Sequence, residues 1–121
     1  MRTCLLVGAG GFLGSVARYL ISLIPMAGGT GFPLNTFIIN IVGSFVIGAL
    51  AGLAAKYAGL PAEWMAFLRA GICGGFTTFS TFALEVTNLL GTGRTSTAVL
   101  YMLLSLLLGV AAVILGERIF A

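Results

Sequence analysis

Long apolar runs, separated by short polar connections, set the organisation of the chain. Residues 3–24 are apolar except for Arg18 near the far end, and residues 34–55 and 95–116 carry no charge. The third run in chain order, over about 62–90, is interrupted by Gly71, Gly74 and Gly75. Between the runs lie residues 25–33 with Gly28, Gly29 and Gly31, residues 56–63 with Gly59 and Pro61, and residues 91–94. Such clusters of glycine and proline read as loops. A bilayer-spanning helix takes about 20 mostly apolar residues. The pattern therefore predicts an all-α integral membrane protein, with four transmembrane helices and a broken third. These form one domain over residues 1–121, with spans at about 3–24, 34–55, 62–90 and 95–116.

Composition narrows the chemistry. Of the 121 residues, 60% are hydrophobic and 7% charged, with 6 Lys+Arg, 3 Asp+Glu and no His. All three acids are Glu. A His general base, a Ser-His-Asp arrangement and a His-ligated zinc are thereby excluded. The six basic residues are scattered, so no nucleic-acid footprint exists. Cys4 and Cys73 sit in apolar stretches without a CxxC pair and read as buried thiols. The first run follows a single Arg, as a secretion signal does. It continues past a typical signal core without a small-residue cleavage site, so it reads as a retained helix.

Glycines at positions 8, 11 and 14 after an apolar run imitate a dinucleotide-binding turn. That fold needs a βαβ unit and an acid about 20 residues further on, and the first acid here is Glu63. Gly10 and Gly14 read instead as a GxxxG pair that lets another helix approach closely. Four spans put both termini on one side. Arg2, Lys56 and Arg118 lie there, against Arg94 and, if it reaches out, Arg18. This weak bias leans towards cytoplasmic termini but permits both a fixed and a dual topology.

Polar groups inside a bilayer are costly and mark function. Thr36, Asn40, Ser44 and Gly48 recur every four residues on one face of the second run. That face is either a packing seam joined by the Asn amide or the lining of a path. In the third run, Gly74-Gly75-Phe76-Thr77-Thr78-Phe79-Ser80-Thr81-Phe82 makes a poor continuous helix. A break at membrane depth frees backbone groups that only protein or a polar cavity can satisfy, and such breaks build ion sites. The Phe residues at 76, 79 and 82 read either as lipid-facing bulk or as electropositive ring edges offered to an anion. Tyr101 and Ser105 add a stripe on the last helix. All these groups are neutral, and most are hydrogen-bond donors. That suits a small anion better than proton-coupled transport.

The chain resembles the Fluc/CrcB family of fluoride channels over essentially its whole length. Three stretches carry the resemblance. Gly10-Gly11-Phe12-Leu13-Gly14-Ser15-Val16-Ala17-Arg18-Tyr19 is similar to a GGxxGAxxRY pattern. Thr36-Phe37-Ile38-Ile39-Asn40-Ile41-Val42-Gly43-Ser44-Phe45 is similar to TLxVNxxGxF. Gly74 to Phe82 matches GGxTTFSTF, the most specific of the three. Ser15, Phe37 and Asn35 are conservative departures.

The resemblance implies an antiparallel, dual-topology homodimer in the cell inner membrane, with two pores that export fluoride and limit its toxicity. It implies Phe79 and Phe82 as ring-edge ligands and Asn40 as an amide donor. Ser80, Thr81, Tyr101 and Ser105 would form the polar track. A structural Na⁺ on the dimer axis would be held by the backbone carbonyls of Gly74 and Thr77. Arg18 would lie near a vestibule and Glu85 near the pore end, where the two either shape the field at the mouth together or merely anchor the helix ends. Arg69 and Glu117 could pair near the terminal side.

Three rivals fit less well. A small dual-topology drug/proton antiporter needs an acid deep in its first helix, and none is present. A non-transporting assembly subunit has no use for a broken helix. No residue combination supplies an enzyme's nucleophile and base.

Overall fold

Every apolar run forms a helix, with ends set by the polar connections. The computed structural model describes residues 1–26 and 28–121. Helix α1 spans Arg2–Ser22 and α2 spans Leu34–Lys56, starting directly after Pro33. Helix α3, over residues 62–76, changes pitch twice: α-helical at Ala62–Ala66, π-helical at Phe67–Cys73 and α-helical again at Gly74–Phe76. Helix α4 is Phe79–Gly91 and α5 is Thr95–Phe120. Helices α1, α2 and α5 are each long and apolar enough to cross a membrane, and the bent α3–α4 unit is the fourth element. Gly93, at φ +78, takes the left-handed turn that lets α5 start two residues later.

With the bent α3–α4 unit counted as one pass, passes two places apart in the chain pack together, and each such pair runs parallel. Helix α1 lies against α3, and α2 against α5, while α1 and α2 barely touch. Small residues make both seams. A Cβ on Gly10 would lie 2.9 Å from Cα of Gly71, and one on Gly14 would lie 2.8 Å from the Phe76 nitrogen. In the second seam a Cβ on Gly48 would meet the Val113 backbone, and one on Gly116 would lie 2.8 Å from the Ala49 nitrogen. These backbones touch because no side chain separates them, as the Gly10–Gly14 spacing predicted. The parallel sense also brings the starts of α1 and α3 to one end, where Arg2 Nε lies 3.3 Å from Glu63 Oε2. Among the described residues this is the ion pair that forms. Arg69 and Glu117 make none.

Two further expectations are corrected. Cys73 is buried, but Cys4 is exposed on the outer face of α1. The helix break does not fall at Gly74–Gly75. Both glycines stay helical, and the extended residues are Thr77 (ψ 157) and Thr78 (φ −149, ψ 120). The glycines serve close packing instead: a Cβ on Gly75 would lie 2.6 Å from the Gly11 carbonyl oxygen. The outer surface is covered by large apolar side chains such as Leu5, Phe12, Leu103 and Leu107, as contact with lipid requires.

Candidate functional site

The site begins with the hydrogen bonds that a broken helix must replace. Asn40, on α2, closes the break like a clasp. Its amide nitrogen donates to the Thr78 carbonyl at 3.0 Å, and its oxygen accepts from the Thr78 N–H at 2.8 Å. Thr78 in turn caps α4: its hydroxyl oxygen accepts from the Thr81 N–H at 3.3 Å and lies 3.1 Å from the Thr81 hydroxyl. Arg18 takes a third group, donating from Nε to the Gly75 carbonyl at 3.1 Å. Arg18 thus sits on the break itself.

These bonds leave carbonyls over, those of Gly74 and Thr77 among them. In a continuous helix Gly74 O would accept from Thr78 N–H, and Thr77 O from Thr81 N–H. Here Asn40 takes the first of those donors and the Thr78 hydroxyl takes the second. Gly74 is also exposed. Hard, neutral carbonyl oxygens therefore sit at the break without their helical partners.

A cleft of about 390 Å³ opens beside the clasp between α2, α4 and α5. Asn40, Ser44, Thr77, Thr78, Phe79, Phe82 and Ser105 line it. One Asn40 amide hydrogen is held by Thr78, so the other is available to the cleft. Phe79 and Phe82 lie 5.8 Å apart between ring centroids, and Phe82 stacks on Tyr101 at 5.0 Å. Phe79 is 79% exposed.

Beyond Phe82 the polar line turns to Glu85. The Tyr101 hydroxyl donates to one carboxyl oxygen at 2.8 Å, and the Thr36 hydroxyl donates to the other at 2.6 Å. Tyr101 is fully buried. Thr36, Asn40 and Ser44, one helical turn apart, therefore meet three different things: a carboxyl group, the helix break and the open cleft.

Asn40, Phe79, Phe82 and Ser105 come together in the cleft, with Tyr101 stacked behind. Ser80 lies on the exposed face of α4, and Thr81 is turned into the cap. Arg18 and Glu85 engage different partners and do not meet. Sequence reasoning missed Thr78 as the keystone of the break, although a Thr before a new helix is a cap signal. It also missed the Thr36–Glu85–Tyr101 bridge, which links residues 49 and 16 positions apart.

The fold and cleft define a class: a small, polytopic helical membrane protein whose bent third pass carries a polar, internally capped break. Comparison of sequences makes this specific. The chain belongs to the family described as CrcB-like protein, Camphor Resistance (CrcB), whose model matches residues 5–117. It is 48% identical over 116 residues to the fluoride-specific ion channel FluC of Chlorobaculum tepidum, covering 96% of this chain and 92% of that one. It is 45% identical over 112 residues to the protein of the same name from Prosthecochloris aestuarii, covering 93% and 88%. A third relative of that name, from Azobacteroides pseudotrichonymphae, is 44% identical over 117 residues, covering 96% and 94%. These relatives carry the name of a channel, not of an enzyme.

Proposed function

We propose that the protein is a passive, fluoride-selective channel of the cell membrane that lets fluoride leave down its gradient. The observation that carries this reading is the line of neutral donors and ring edges in a membrane-spanning fold. It runs from Ser105 and Asn40, past Phe79 and Phe82, to Tyr101, whose hydroxyl meets the Glu85 carboxyl group. The nearly full-length likeness to relatives named as fluoride-specific channels supports it.

Fluoride is small and strongly hydrated, so a path must replace its water. Amide and hydroxyl donors do so without the deep trap of a fixed cation, which keeps exit fast. The edges of Phe79 and Phe82 are weakly electropositive. They would take over where hydroxyls are sparse, with Ser80, Thr81, Tyr101 and Ser105 supplying the donors of the track.

The working unit is an antiparallel, dual-topology homodimer with two such paths. One subunit leaves Phe79 open, and a second copy would cover it. The carbonyls of Gly74 and Thr77 suit a hard monovalent cation. Two carbonyls from each subunit would hold one Na⁺ on the axis, where it fixes the two breaks against each other.

Purified protein in liposomes should pass fluoride electrogenically and exclude chloride, and its mass in detergent should be that of two chains. Replacing Na⁺ on both sides should lower the flux. Equal chloride flux would overturn selectivity, a single-chain mass the dimer, and flux indifferent to Na⁺ the cation.

Tyr101→Phe tests the polar end of the line. It keeps the ring on Phe82 and removes only the hydroxyl donated to Glu85. Fluoride efflux should fall about tenfold, the scale of one hydrogen bond to a charged or strongly polar group, with the dimer intact. Unchanged efflux would remove Tyr101 from the path.

A further inference from the structure

A second pocket, of about 490 Å³, lies on the far side of Glu85 from the cleft. Its walls come from three parts of the chain: Gly31 and Pro33 before α2, Glu85 and Asn88 on α4, and Thr92 and Arg94 in the last turn. Arg94 is its cationic member. It lies against Gly31, where a Cβ would strike its guanidinium. No hydrogen bond or ion pair to protein engages that guanidinium among the described residues. The nearby carboxyl group is occupied, since both Glu85 oxygens accept hydroxyls from Thr36 and Tyr101. The side-chain amide of Asn88 likewise has no partner among the described residues.

The pocket thus holds two unpaired donors, the Arg94 guanidinium and the Asn88 amide, together with a carboxyl group already held by two hydroxyls, next to the polar end of the cleft. We propose that it is a water-filled mouth for a small anion, and that Arg94 raises the local anion concentration there. The proposal rests on the fluoride reading for the identity of the anion, but not for the existence of the mouth. One positive charge at a constriction concentrates anions and speeds their arrival, and salt screens the effect. The guanidinium lies at the wall and not on the track, so it attracts an anion without trapping it.

Two arms test this. In the first, Asn88→Cys in liposomes is labelled with an anionic sulfonatoethyl and a cationic trimethylammonioethyl methanethiosulfonate reagent. The parent protein gives the background from Cys4 and Cys73. Adding Arg94→Gln should lower the anion-to-cation rate ratio about tenfold at about 20 mM salt, since one charge across several ångströms of water changes each reagent's rate about threefold, in opposite directions. The difference should vanish at about 500 mM salt. An unlabelled thiol, or a ratio indifferent to Arg94, overturns the proposal.

In the second arm, Arg94→Gln alone should slow fluoride efflux about threefold at low salt and little at high salt, and Arg94→Lys should retain most of the rate. Unchanged efflux at low salt overturns the proposal. So does an equal loss at both salts with a lowered unfolding temperature, which would make Arg94 a loop clip on Gly31. If the parent fails to conduct fluoride, the functional reading falls, while the labelling arm still reports on the mouth.

Discussion

Asn40→Leu abolishes fluoride efflux and lowers stability by about 2–6 kcal/mol. The Thr78 N–H and C=O both lose their partner, and each orphaned buried group costs about 1–3 kcal/mol. Asn40→Asp separates two jobs of the same side chain. The carboxylate still accepts from Thr78 N–H, so part of the stability returns. The amide donor facing the cleft is gone and a negative charge stands in its place, so the flux stays lost. Stability read by unfolding in detergent, alongside efflux from liposomes, checks both. If Asn40→Leu folded as well as the parent, the clasp would be structurally idle.

Gly48→Val removes the folded protein altogether. The added Cβ falls onto the Val113 backbone, and a backbone in a packed helix cannot rotate away as a side chain can. Overpacking of this kind costs about 1–3 kcal/mol where the site can relax, and more where two long helices must separate. Gly91→Ala is the control, because a Cβ there meets nothing within 4 Å. A single sharp peak on size exclusion for the control, and aggregated or absent protein for Gly48→Val, is the expected result. A well-behaved Gly48→Val protein would show that the α2–α5 seam is loose.

Much of this architecture was legible in the sequence. The spans were visible because a lipid-facing helix must be apolar all round. The Gly10–Gly14 seam was visible because close approach needs small residues at a fixed spacing. The break could be expected but not placed. Gly74 and Gly75 weaken a helix in isolation, yet packing on Gly11 holds them helical. The chain actually parts where Asn40 offers the Thr78 backbone a better partner, and that preference comes from a residue 38 positions away. The same distance hid the surroundings of Glu85. Its position near a helix end was readable, whereas its two hydroxyl partners depend on how α2 and α5 meet around α4. The pairing of charges failed for a related reason: Arg2 meets Glu63 because α1 and α3 start together, a fact that only the parallel packing supplies.

That packing has a consequence for biogenesis. Membrane insertion delivers α1 and α2 first, yet neither finds its small-residue partner until the pass two places further on has arrived. A half-made chain therefore waits in the bilayer with the grooves at Gly10–Gly14 and at Gly48 filled only by lipid. Assembly is held back until α5, the last of these passes to be made, slides in beside α2. Truncation near the C-terminus would thus leave a chain that is fully inserted and still unassembled.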